Sequence, residues 1–153
     1  MSPARLHLHL FGSFRLLRGD QPVAGFDQAR LQHLLAFLAL QRALPISRQQ
    51  LAFTFWPDTS DRQARKNLRT LLARLRQALP EADEFLCIMP QTLQWRAAAP
   101  VVLDVAEFQA ALDAAATASE AGRYPQAATA FAAAVAVYTG DLLPTCYDDW
   151  ILP

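Results

Sequence analysis

FWPDTSDRQARKNLRTLLARLRQAL, residues 55–79, holds five arginines and one lysine and no acidic residue beyond Asp61. Its leucines are helically spaced. At about 100° per residue, Leu71, Leu72, Leu75 and Leu79 fall within roughly 60° of Leu68, a narrow apolar stripe that faces a core. Arg62, Lys66, Arg69, Thr70 and Gln77 point away from that stripe; Arg74, Arg76 and Asn67 flank it, and Arg65 lies nearest the core edge. Ahead of it, the run from Trp56 to Asp61 stops one segment with proline and short polar side chains, and Ser60 or Asp61 caps the next. The spacing predicts a helix over Asp61–Leu79. A solvated helix face normally mixes signs, so that Glu and Lys pair at i,i+4. This one carries no carboxylate between Arg62 and Leu79, which points to an anionic partner outside the chain.

Upstream, QARLQHLLAFLALQ over residues 28–41 places Leu31, Leu34, Leu35 and Leu38 at helical spacing, with Phe37 and Leu40 adding apolar positions, and reads as a largely buried helix. Pro45 ends its neighbourhood. Ser47 caps a second helix from Arg48 to about Trp56, with Leu51, Ala52 and Phe55 inward. Trp56, at the end of an apolar helical face, is expected to plug the turn rather than stack on a base. Downstream of Pro80, Phe85–Ile88 and Leu93–Trp95 flank Met89, Pro90, Gln91 and Thr92 and read as a β-hairpin, with Arg96 at its far end.

The N-terminal segment alternates Leu and His from Leu6 and runs on to Leu17, the period of a strand, with Gly12 as a bend or bulge. Arg18 to Pro22 then form a turn into a return strand near Val23–Phe26. His7 and His9 share one side of that strand, but two histidines without further ligands do not make a zinc site. A small sheet, three helices with a helix-turn-helix pair, and a closing hairpin make a winged helix with an N-terminal sheet. The third helix of that architecture enters the major groove.

The formal charge of zero conceals two unlike parts. Through Pro100 there are 13 Lys and Arg against 7 Asp and Glu, a balance of +6; from Val101 on, 1 against 7, a balance of −6. The shift marks a boundary near residue 100, between an expected DNA-binding domain at 1–100 and an alanine-rich helical part at 101–153. The second part reads as two antiparallel helices, Val105–Ala121 and Tyr124–Tyr138, turning at Gly122 and Arg123. Phe108, Leu112, Phe131 and Val135 supply its larger apolar residues, and the alanines permit close approach, as in one hairpin of a repeat solenoid. The chain ends on Asp148 to Pro153 without a tapering polar tail, so the helical part is expected to continue.

Cys87 and Cys146 are far apart, with no CxxC pair, and neither a disulfide framework nor a zinc site is indicated. The N-terminus lacks the apolar core and cleavage site of a secretory signal, and no long apolar run spans a membrane; a cytoplasmic location is expected. No nucleophile elbow, Gly-rich phosphate loop or HExxH occurs, and the adjacent Asp148 and Asp149 are poorly spaced for paired acid–base work. The chain is not expected to be an enzyme or to take a cofactor.

Five stretches carry a resemblance: LFGSFRLLRGDQPV from Leu10, QARLQHLLAFLAL from Gln28, the basic segment from Phe55, VLDVAEFQAAL from Val102, and GDLLPTCYDDWILP from Gly140. The third and fifth are the specific ones. The chain resembles the SARP-type bacterial transcriptional activators, in which an OmpR-like winged helix precedes a bacterial transcriptional activation domain of TPR-like helices. Two features depart from the pattern: Phe55 stands where an aliphatic residue is usual, and alanine is abundant after Ala110. The resemblance implies binding to double-stranded promoter DNA, commonly as two copies on tandem repeats, with recruitment of RNA polymerase and an all-α TPR-like hairpin behind an α+β head. It also implies that longer members carry an ATPase and further repeats after this segment. On the residues themselves, Arg48, Arg62, Arg65, Arg69, Arg76 and Arg96 suit phosphates, while Lys66, Asn67, Thr70 and Arg74 suit base edges. A rival reading is a protein-interaction module, in which the acidic part covers the basic helix of its own or a second chain.

Overall fold

The computed structural model describes residues 5–42, 44–96, 101–144 and 146. The end of the fifth resembling stretch, including Asp148, Asp149 and Trp150, and the boundary at Pro100 lie outside them. The described chain is α+β, with six helices and small sheets, and packs as two compact units. One comprises the chain up to Gln21 and from Val101 to Cys146; the other runs from Pro22 to Pro100.

In the first unit, β1 (Leu6–His9) buries Leu6 and Leu8 and leaves His7 and His9 half-buried, the alternation expected of a one-sided strand. It pairs antiparallel with β2 (Arg15–Arg18), Leu8 opposite Leu16. The single bent strand expected over Leu6–Leu17 is therefore two strands. Gly12, at φ +82°, lies between them in a backbone region that a side chain would strain. The return strand is likewise shorter and earlier than expected: β3 is Gln21–Pro22, and Val23 and Phe26 are buried without strand pairing. Pro22 has no N–H to donate, which confines it to the sheet edge where β3 lies. On the other side of β1, β7 (Val101–Leu103) pairs in parallel, Leu6 with Val101 and Leu8 with Leu103.

From β7 the chain enters α5 (Asp104–Glu120) and returns along α6 (Tyr124–Val137). Asp104 is the buried charged residue among those described, and its Oδ2 accepts the backbone N–H groups of Leu10 and Phe11, each at 2.9 Å. The two helices bury Ala115, Ala127 and Ala134. Phe131 and Val135, expected among the larger residues of that packing, are instead 48% and 73% exposed. Small side chains let helix axes approach closely, so the alanine face packs and the bulky face turns outward. Phe11, Phe108 and Tyr138 gather their rings with centroids 5.1 to 5.8 Å apart.

The second unit is built on α1 (Ala29–Leu40), α2 (Arg48–Phe55) and α3 (Asp61–Ala78). Leu31, Leu34, Leu35 and Leu38 of α1 are buried with Leu51 and Phe55 of α2 and with Leu68, Leu71, Leu72 and Leu75 of α3. The Phe37 and Phe55 rings meet edge-on at 5.7 Å, and the Arg30 guanidinium lies 5.5 Å from the Phe55 centroid. A short helix α4 (Ala82–Phe85), which the sequence does not announce, follows α3. The hairpin expected around Met89–Thr92 is present as β5 (Leu86–Ile88) and β6 (Thr92–Trp95), and β4 (Ile46–Ser47) adds an antiparallel third strand on β6. That pairing joins the start of α2 to the hairpin. No helix of the described residues is long and apolar enough to cross a membrane.

Candidate nucleic-acid interface

Two serine caps set the helix pair. Gln50 N donates to Ser47 Oγ at 3.0 Å at the start of α2, and Gln63 N donates to Ser60 Oγ at 3.2 Å at the start of α3. With its leucines buried, α3 turns Arg62, Arg65, Lys66, Arg69, Thr70, Arg74 and Arg76 to solvent, and Asn67 is half-buried. Half-buried Trp56 closes α2, its ring 6.0 Å from that of Phe55.

The exposed residues differ in how they are held. Arg62, Lys66 and Arg69 make no side-chain hydrogen bond or ion pair among the described residues. Arg65 Nε makes one long contact, 3.4 Å, to Asp61 O. Thr70 Oγ1 donates back to Lys66 O at 3.1 Å, so its hydroxyl proton is used and its methyl is left for an outside partner. Asn67 Oδ1 accepts from Gln63 Nε2 at 2.8 Å, and Arg74 Nη1 donates to Gln28 Oε1 at 3.1 Å.

Arg76 and Arg96 converge on one residue of α4. Arg76 Nη2 lies 3.6 Å from Asp83 Oδ1, and Arg96 Nε donates to Asp83 O at 2.9 Å. Beyond Asp61 in its first turn α3 carries no carboxylate, but α4 supplies one across the chain. Both partners of that ion pair are more than half exposed, so water screens it and it contributes little to stability.

Arg48 opens α2 and belongs to the hairpin as much as to the helix. Its Nε donates to Met89 O and its backbone N to Gln91 O, both at 2.9 Å. Between the N-terminus of α2, the flank of α3 and the hairpin tip lies an open cleft of about 470 Å³. Arg48, Arg65 and Arg69 line it together with Gln49 and Gln91. Gln49, Gln91 and Asp83 carry no sequence signal for a site; they enter it through the β4–β6 pairing and the position of α4, neither of which local periodicity shows.

No family model matches the sequence, and no curated protein matches it. Among solved structures, Mycobacterium tuberculosis EmbR in complex with a low-affinity phosphopeptide is similar, with a TM-score of 0.78 at 24% identity over 93% of this chain. The likeness is one of fold. This chain spans 38% of the EmbR chain.

Proposed function

We propose that this chain is a sequence-specific DNA-binding transcriptional regulator of the SARP type, with α2 and α3 as its helix-turn-helix and the β5–β6 hairpin as its wing. The observation that carries this reading is the outer face of α3, where Arg62, Lys66 and Arg69 stand exposed with no carboxylate partner among the described residues. A duplex supplies the missing countercharge, and release of its counterions drives such binding. The fold likeness to EmbR supports the architecture on which the reading rests.

On this reading α3 lies in the major groove. Lys66, Asn67, Thr70 and Arg74 meet base edges, while Arg48, Arg62, Arg65, Arg69, Arg76 and Arg96 meet phosphates. Residues 1–100 form the DNA-binding part and residues 101–153 open a TPR-like activation domain that recruits RNA polymerase, with strand β7 of the second pairing with β1 of the first. Two copies bind tandem promoter repeats. In vitro selection of duplexes bound by this chain tests the reading: a recurrent motif in tandem copies is expected, and a pool that stays random contradicts it.

One observation favours a protein-interaction module instead. Tyr124, Phe131, Val135 and Tyr138 of α6 and its C-cap, all substantially exposed, recur along one helical face. A gel shift with a salt titration separates the two, because only the DNA reading gives duplex binding that falls steeply with salt.

A further inference from the structure

The cleft that Arg48, Arg65 and Arg69 share assigns them a joint role rather than three separate ones. We infer that they form one seat for a single backbone phosphodiester of the bound duplex, at the N-terminus of α2 beside the hairpin tip. The inference rests on the DNA-binding reading above and deepens it. Three arginines from two helices line the same opening, and none has an ion-pair partner among the described residues. Like charges held around one space repel, and a single anion placed among them relieves all three.

The hydrogen bond from Arg48 Nε to Met89 O orients its guanidinium beside the hairpin tip and leaves its two Nη groups available. The helix end adds to the seat. Arg48 N and Gln50 N are taken by Gln91 O and Ser47 Oγ, and Gln49, between them, lies in the lining with a first-turn N–H that has no intrahelical acceptor. A phosphodiester suits the place better than a phosphorylated side chain. The cleft is open and continuous with the exposed face of α3, as a strand entering and leaving requires. Its floor at Leu68 is buried, and the arginines and glutamines stand around the opening.

The test is a methylphosphonate scan of a selected duplex, removing the charge of one phosphate at a time, with the full chain and with its Arg65→Ala, Arg69→Ala and double variants. Both side chains are exposed, so the variants are expected to melt like the parent. One phosphate position should weaken binding by roughly tenfold when neutralised, the effect of losing one charge-assisted contact. That penalty should shrink in each single variant and be smallest in the double variant, where Arg48 and the helix end alone remain at the seat, and the two single substitutions should together cost much less than the product of their separate effects. Normal duplex binding in which Arg65→Ala and Arg69→Ala lose sensitivity to different phosphates, with multiplying effects, overturns the shared seat and leaves the DNA reading intact. No duplex binding by the parent chain overturns both. Binding of a phosphoserine peptide at this cleft, abolished in the double variant, with no phosphate position distinguished on DNA, replaces the phosphodiester with a phosphoprotein.

Discussion

Arg48 Nε donates a 2.9 Å hydrogen bond to the carbonyl oxygen of Met89, fastening the first residue of α2 to the tip of the β5–β6 hairpin. The Arg48 amide holds the other side of the same tip through Gln91 O, and Met89 N closes it onto Thr92 O, each at 2.9 Å. The hairpin tip beside α3 is thereby tied to the side chain and the backbone of one residue. Arg48→Ala is expected to cost about 1 kcal/mol of stability or less, since the bond is solvent-exposed. The Met89 amide should exchange faster with solvent while the α3 amides keep their protection. Unchanged Met89 exchange would show that the tip does not depend on Arg48.

The first unit depends on a different polar contact. Asp104 is 6% exposed, and its Oδ2 accepts both Leu10 N and Phe11 N. Asp104→Ala would leave two backbone donors without an acceptor where water does not reach, at a cost of about 2–4 kcal/mol. Thermal unfolding of this variant measures it, and a melt within a degree of the parent would contradict the account.

Histidine 9 makes stability depend on pH. Burial, and after it the charge of Arg15, hold its pKa below the ordinary histidine value; His7 acts in the same direction, and Asp104 and Glu107 oppose it. The folded chain therefore resists a proton that the unfolded chain accepts near pH ~6.5. The contribution of neutral His9 is fully present above that pH and is lost as the pH falls from it toward the lower folded value. The melting temperature is expected to drop over that window, and His9→Gln should flatten the drop. An unchanged pH slope in His9→Gln would assign the effect elsewhere.

Much of this was legible where the signal is local. Leu68, Leu71, Leu72 and Leu75 mark the buried face of α3, and Ser47 and Ser60 mark two helix starts, because a helix writes its packing into a short period and its caps into single residues. Long-range pairing writes nothing of the kind. The parallel register of Leu6 with Val101 and the β4–β6 pairing of Ile46 with Leu93 leave no trace in the periodicity of either segment. In α5 and α6, alanine on every side gives too little contrast to tell the packed face from the free one, so the exposure of Phe131 and Val135 is not legible in the sequence. The candidate site divides in the same way. Its exposed arginines follow from the helical wheel, whereas the attachment of Arg76 and Arg96 to Asp83 and the gathering of Arg48, Arg65 and Arg69 around one cleft are tertiary facts.

The claim at the centre is that α3 reads DNA with its solvent face. Lys66 tests it most directly, since its side chain is exposed and makes no hydrogen bond or ion pair among the described residues, so removing it is expected to leave the core intact. Equilibrium binding of Lys66→Ala to a selected duplex at fixed salt, measured beside its thermal melt, is the decisive comparison. The account predicts binding weaker by roughly tenfold with an unchanged melt, as expected for a lost charge-assisted contact to DNA. Parental affinity in a variant that melts like the parent would show that α3 is not the surface that reads DNA.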